Sequence, residues 1–467
     1  MKENKNQKNT AVNQITEGVI WKQLLFFFFP ILFGTLFQQI YNTADTVVVG
    51  RFVGKEALAA VGGSSSMIVN LIVGFFVGLC SGAAVVISQF YGAKDHKNLK
   101  KALHTSMIFC LAASIIVGTA GFILAEPILH LMKTPAEVIP DSVLYLHIYF
   151  AGTFFNLVYN MVSSILRAVG DSKRPLYVLI ITCLLNILLD VVFVVIFHMG
   201  VLGVALATVS CQAVSAILVT WFLMRAEDIY RLEFHEIRFD LRSLGAVLRI
   251  GLPAGLESVM YNIANLTIQI FVNELGTDTV AAWGTLGKID AVFWMVCNAF
   301  AISITTFVGQ NYGAQKYDRI KDGVRMGVIL SILIHIPLSA IEIFGGKRIA
   351  SLMVTDPSVL ELCRQYLLIV GIFVFFLGFL MVFRNCIQGM GNTWIPMLSG
   401  GLEVISRLIF GYWLGRHSFM GIAAAEASAW ISVSIMLGSS FFILFRKVLR
   451  TQTPENATDT ENIGRVS

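Results

Sequence analysis

Apolar runs recur along the whole chain, each near the length that crosses a bilayer as a helix and each closed by a short polar segment. Twelve such runs fall near residues 23–49, 65–89, 102–125, 143–166, 176–198, 201–224, 247–273, 287–309, 323–345, 360–386, 394–415 and 419–445. They predict an all-α polytopic membrane protein with twelve transmembrane helices. The runs over 57–89 and 280–310 pass into Gly- and Ser-rich ends, so their starts are soft.

The polar punctuation repeats. LRAVGDSKRPLYVLIITCLLNILLDVVFVV (Leu166 to Val195) returns as IQGMGNTWIPMLSGGLEVISRLIFGYW (Ile387 to Trp413), and both Gly170/Gly391 and Pro175/Pro396 lie 221 residues apart. Gln89, Tyr91, Gly92 and Ala93 match Gln310, Tyr312, Gly313 and Ala314 at the same separation. VGKEALAAVG (Val53 to Gly62) matches LGTDTVAAWG (Leu275 to Gly284) at 222, and Pro30 and Pro253 open the first run of each half. Blocks in one order at a nearly constant offset mark a duplication. With six runs each, both halves enter the membrane from the same side. The predicted architecture is therefore two parallel six-helix bundles with pseudo-twofold symmetry about the membrane normal.

This pattern divides the chain into a tail over 1–21, an N-terminal bundle over 22–224, a linker over 225–246, a C-terminal bundle over 247–446 and a tail over 447–467. Composition agrees with a membrane protein: of 467 residues 56% are hydrophobic and 13% charged, where soluble domains carry about 25% charge. The inner segments hold Lys94, Lys97, Lys100, Lys101, Arg167, Lys173, Arg174, Arg225, Arg231, Arg238, Lys316, Arg319, Lys321, Arg446 and Lys447 among others. The outer ones hold only Arg51, Lys55, Lys133, Lys347, Arg348 and Arg416. That asymmetry places both termini in the cytoplasm of a multi-pass cell-membrane protein.

A carboxylate in the middle of an apolar run is costly, which makes it a functional candidate. Asp190 lies about fifteen residues into its run, and Asn186, one turn before, shares its helix face. Asp45 stands near the outer end of the first run behind a polar stripe of Gln38, Tyr41 and Asn42. Its rival reading is a hydrated helix end. Thr208 in the sixth run offers a hydroxyl. In the second half, Glu257 follows Pro253 by one turn, and Glu403 and Arg407, also one turn apart, read as an internal ion pair. Lys288, Asp290 and Glu426 receive no assignment. Asn156 and Asn160, with Tyr159, are candidates for a substrate cleft; helix-packing hydrogen bonds are their rival reading.

YNTADTVVVGRFVGKEALAAVG, the Q-x-Y-G-A loop entry in both halves, R-A-x-G-D-x-K-x-P and N-x-x-x-D in the fifth run resemble the multidrug and toxic compound extrusion (MATE) family, over essentially the whole chain apart from its polar tails. The resemblance, to the DinF- and NorM-like bacterial branches, implies secondary active export of cationic amphiphiles by alternating access, driven by a proton or sodium gradient. It maps a cation-coupling cluster onto Asp45, Asn186, Asp190 and Thr208, with sodium possible at Asp45, Asn186 and Asp190. NorM-like proteins carry an acid in the tenth run, where this chain has Arg384 and Asn385. That departure favours proton coupling in the first half, with Glu257 as the secondary candidate.

No P-loop, H-E-x-x-H or His/Cys pair at metal spacing occurs, and the seven cysteines are scattered through apolar runs. The expectation is a transporter and not an enzyme, with no cofactor and an ion gradient as its energy source. Its expected partners are small cationic molecules and the lipid bilayer, not nucleic acid, and it is expected to act as a monomer. The alternatives are a flippase for a lipid-linked intermediate, and a non-transport membrane protein such as a channel.

Overall fold

A computed structural model describes residues 15–226, 228–233, 235 and 238–450. Most of the two expected tails lies outside the described residues. Each of the twelve expected spans falls on a helix, and among the described residues there is no strand. The helices are α1 (Ile20–Val48), α2 (Lys55–Gly62), α3 (Ser64–Gly92), α4 (His96–Leu131), α5 (Ile139–Ala168), α6 (Lys173–Asp190) and α7 (Gly200–Met224) in the first half. The second half has α8 (Leu241–Glu274), α9 (Thr277–Gly313), α10 (Tyr317–Ala340), α11 (Gly346–Ala350), α12 (Pro357–Gly389), α13 (Trp394–Phe410) and α14 (Phe419–Arg450). The short α2 and α11 have no counterpart in the hydrophobic pattern, because neither is long enough to leave a period in it.

Helices run past their apolar runs wherever a polar residue supplies a stop. Asp95 accepts a hydrogen bond from the backbone N–H of Asn98 and starts α4; Asp356 does the same for α12 with Ser358. The 225–246 segment is helical from Leu241 onward. Among the described residues ten helical segments are long and apolar enough to cross a membrane. The two expected spans outside that set, α8 and α13, carry Arg249 and Glu257, and Glu403 and Arg407. Glu403 and Arg407 are buried and paired with each other, so their polarity faces protein and not lipid.

The repeated loops adopt one geometry. Gly170 (φ 98°) and Gly391 (φ 87°) sit in the left-handed region that favours glycine. The N–H of Asp171 donates to the Leu166 carbonyl at 2.9 Å, and that of Asn392 to Ile387 at 3.2 Å. Asp171 then accepts from the N–H of Arg174, and Asn392 from that of Ile395. The duplicated motif is a duplicated helix stop and start. A short π-helical turn follows α6 (Val191–Ile196) and again follows α13 (Gly411–Gly415).

The chain divides into two compact units. Of the described residues, unit 1 holds those up to Val259 together with Asn298–Ala314, and unit 2 holds Met260–Cys297 and those from Gln315 to Arg450. Within unit 1, α5 packs on α3, α4 and α7, and α6 packs on α1 and α7. Its core includes Leu99, Leu103, Leu157, Met161, Ile165 and Val219, while Ile115, Ile116 and Ile123 of α4 point outward, as a lipid-facing side requires. The Q-x-Y-G motifs meet in this unit: a Cβ on Gly92 would strike the Gln310 carbonyl oxygen, and a Cβ on Gly313 would strike that of Gln89. The amide of Gln310 donates to the Ala168 carbonyl at 2.7 Å. Within unit 2, α12 packs on α10 and α14, and α13 on α14.

Candidate cation and substrate site

The site lies within unit 1; α1, α5, α6 and α7 supply most of its polar groups, and the end of α2 and the start of α3 (Ser66, Asn70) complete the wall. Near-helical spacing on α1 sets Gln38, Tyr41, Asn42 and Asp45 along one side, and all four line a cavity of about 360 Å³. From α5 come Tyr145, Tyr149, Asn156 and Tyr159; from α6, Thr182 and Cys183; from α7, Thr208, Cys211 and Gln212. Among the described residues no Lys or Arg lines it. Aromatic faces, amides and hydroxyls around a carboxylate are the groups that hold an organic cation.

All four residues of the expected coupling cluster are brought together. Asp45 interacts with Asp190, Asn186 and Thr208. The groups are nevertheless not locked by short hydrogen bonds. One Asp45 oxygen, both Asp190 oxygens, both polar atoms of the Asn186 amide and the Thr208 hydroxyl are buried without a hydrogen-bond partner. Asn186 and Asp190 are 0% exposed. Asp45 and Thr208 line the cavity, while Asn186 and Asp190 stand behind that lining. The cluster thus runs from the cavity wall into the core.

Asp45 is half-buried and stands three residues before the end of α1. α1 continues to Val48 and passes into a further π-helical turn, and Oδ1 of Asp45 is fully buried. Two carboxylates, an amide and a hydroxyl are an all-oxygen donor set for a proton or a hard cation. Among the described residues no three His, Cys, Asp or Glu side chains are arranged to hold a metal ion.

Of the cleft candidates, Asn156 and Tyr159 line the cavity and Asn160 does not. Asn160 instead donates to the Asn156 carbonyl (2.9 Å) and to its side-chain oxygen (3.0 Å), which fixes the Asn156 amide. Glu257 is partly buried on α8 within unit 1 and is not part of the cavity wall. Sequence reasoning missed Gln212 and the stacked pair Tyr145/Tyr149, whose ring centroids lie 6.2 Å apart. Gln212 follows Thr208 by one turn, the same i, i+4 signal that singled out Asn186 and Asp190.

Unit 2 holds a second buried polar group of a different kind. Arg407 pairs with Glu403 at 3.0 Å and with Glu426 at 3.6 Å, and donates to the Asn265 side-chain oxygen at 2.7 Å. Arg384 lies 3.5 Å from the other oxygen of Glu403, and the Tyr366 hydroxyl bonds to Glu426. The i, i+4 reading of Glu403 and Arg407 is present as expected. The sequence carries no signal for the contributions of Glu426 and Tyr366, sixty residues apart in the chain.

The MatE family profile matches residues 30–192 and 253–413, more than half of the chain. “Probable multidrug resistance protein YpnP” of Bacillus subtilis is 28% identical, over 91% of this chain and 93% of its own length. “Multidrug export protein MepA” of Staphylococcus aureus strain N315 is 23% identical, over 86% and 91%. A crystal structure of MATE in complex with MaL6 superposes with a TM-score of 0.89 at 21% identity, covering 95% of this chain and 100% of that one. An outward-facing multidrug resistance MATE family transporter of the MOP superfamily gives 0.88 at 21%, over 94% and 99%. At that identity the two structures speak for the fold.

Proposed function

This chain belongs to the MatE family, a multi-pass family of multidrug efflux transporters, and on that premise we propose that it exports cationic amphiphiles in antiport with protons. The observation that supports the reading is the Asp45–Asp190 pair, which reaches the cavity without any Lys or Arg in the wall to neutralise it. Ionised, the pair draws an organic cation into a cavity where Tyr145, Tyr149 and Tyr159 offer aromatic faces. Protonated, the same pair no longer holds it. Two acids this close titrate as a unit, so the proton and the substrate compete for one charge. Mutually exclusive occupancy is what antiport requires.

Burial separates the two roles. Asp45 on the wall meets the substrate, and the fully buried Asp190 carries the charge state that Asp45 responds to. Asn160 positions Asn156 for the substrate. A single chain performs the cycle, with both termini on the cytoplasmic side, in keeping with the excess of Lys and Arg in the inner segments.

The test is uptake of a fluorescent lipophilic cation by proteoliposomes under separately imposed pH and sodium gradients, with Asp190→Asn alongside. The expected result is transport driven by the pH gradient alone and lost in the variant. Sodium-driven transport that survives Asp190→Asn would move coupling away from this cluster, and absence of any cation flux would turn the reading toward a flippase.

A further inference from the structure

The internal repeat relates the two buried polar groups residue by residue. At the separation of 221, Arg407 stands where the first half has Asn186, Glu403 where it has Thr182, and Tyr366 where it has Tyr145. At the separation of 223 set by Pro30 and Pro253, Asn265 stands where it has Asn42. Asn42, Thr182 and Tyr145 line the cavity of unit 1, and Asn186 belongs to its acid cluster. Four members of the unit 2 ion network therefore stand at repeat-equivalent positions of the unit 1 site, while Glu426 and Arg384 correspond to Ala205 and Ser163, and Asp45 and Asp190 correspond to Ile268 and Gly411.

Its electrostatics are inverted. The unit 1 site has two carboxylates and no cation in its wall. In unit 2 the carboxylates of Glu403 and Glu426 meet the guanidinium groups of Arg407 and Arg384, so the network is neutral by itself. The Arg407 guanidinium sits between the two carboxylates, capped by Asn265 on α8 and with its charge 5.9 Å from the Tyr261 ring. A carboxylate pair, an amide oxygen and an aromatic face around one positive charge make a complete cation site.

We propose that Arg407 is a tethered cation, which permanently fills the second lobe's copy of the cation site and leaves unit 1 with the one site that exchanges. Removing Arg407 turns the unit 2 network into an open monovalent-cation site lined by Glu403, Glu426 and Asn265. Arg384 still faces Glu403 from α12, Tyr366 still bonds Glu426, and Asp290 and Glu342 lie within electrostatic reach of each other and, for Asp290, of Glu426. The vacated charge falls to sodium, or to protons at low pH. This inference rests on the repeat and on unit 2, and holds or fails independently of where transport is coupled.

The experiment uses the full-length purified protein in a double Asp45→Asn/Asp190→Asn background, which silences unit 1. Retention of radioactive sodium and thermal unfolding are both read in sodium chloride against N-methylglucamine chloride. With Arg407 intact, no sodium is retained and Tm is the same in both salts. Adding Arg407→Asn, the residue the first repeat uses, creates sodium retention and a sodium-dependent rise of a few degrees in Tm. Adding Glu403→Gln to that variant abolishes both. Sodium retained with Arg407 in place and lost on Glu403→Gln overturns the proposal, because the site is then already open. An Arg407→Asn chain that retains no sodium and is not stabilised by sodium or by acidification also overturns it. Should Arg407→Asn fail to fold, Arg407→Gln, which removes the charge and keeps more of the side-chain volume, is read in the same two assays with the same outcomes.

Discussion

The duplication produced two buried polar clusters on equivalent helices, and they differ in who supplies the positive charge. In unit 1 the acids Asp45 and Asp190 face each other, Asn186 and Thr208, and among the described residues no Lys or Arg lines the cavity beside them. In unit 2 Glu403 and Glu426 are answered by Arg407 and Arg384. A cluster that lacks its counter-charge must obtain one from outside and can give it back. A cluster that contains its own is held shut. At the matched position where the first half has Asn186 the second has Arg407, and the acids themselves have moved: Glu403 stands opposite Thr182, and Asp190 opposite Gly411.

The comparison can be broken most forcefully from the closed side. Arg407→Ala strands two buried carboxylates and is expected to destabilise the fold by about 3–5 kcal/mol, read by thermal or denaturant unfolding; Arg407→Lys keeps the charge but loses the fork that reaches Asn265 and Glu403 together. On the open side, Asp190→Asn should leave folding near wild type and remove pH-driven export, a fall of roughly 150-fold, the upper end of a coupling between sites. Export equal to wild type would mean that the two clusters do not differ in function.

The Q-x-Y-G crossing tests the reverse expectation, that equivalent positions can also behave alike. Gly92→Ala and Gly313→Ala each force a methyl against a backbone carbonyl. Each should cost about 1–3 kcal/mol in unfolding experiments, and the two costs should match. Unequal costs would show that the crossing has lost its symmetry. Asn160→Ala removes the donor that fixes Asn156, where the second half has only Leu377 and Met381 at the matching positions. About 1 kcal/mol of substrate affinity is at stake, seen in KM and not in kcat.

The smallest expected effect lies outside the membrane. Asp95 caps α4, whereas its equivalent Lys316 at the start of α10 has no acceptor to offer. The hydrogen bonds from the Asn98 backbone and side chain hold the Asp95 carboxyl below the usual carboxylate range. The folded value is depressed, so the cap contributes above the ordinary value near about 4 and is lost as pH falls through the folded one. Asp95→Ala should cost about 0.5–1 kcal/mol at neutral pH and nothing measurable in strong acid.

The fold was legible because it depends on length and repetition. Runs near twenty residues and a constant offset of Gly170/Gly391 and Gln89/Gln310 are one-dimensional facts. The Asn186–Asp190 pair was equally legible, since one helical turn is a sequence interval. Residues joined only by tertiary packing were hidden. Glu426 and Tyr366 meet Arg407 from different helices, and no interval announces it. Asn160 stands behind the cavity wall for a related reason: its spacing from Asn156 is one turn, but periodicity does not tell a residue on the wall from one that holds it.

The π-helical turn that begins directly after Asp190 has a further consequence for phase. Such a turn accommodates one residue more than an α turn, so the rotation of later side chains slips by one position, about 100°. The face that Asn186 and Asp190 define ends with them; from Val191 to Ile196 the chain belongs to another rotational setting. The second half slips at the corresponding place, over Gly411–Gly415. Each half thus keeps a surplus residue beside its charged cluster, and a single deletion inside that turn can be absorbed by restoring plain α-helix. The same deletion one turn earlier would rotate Asp190 away from Asp45.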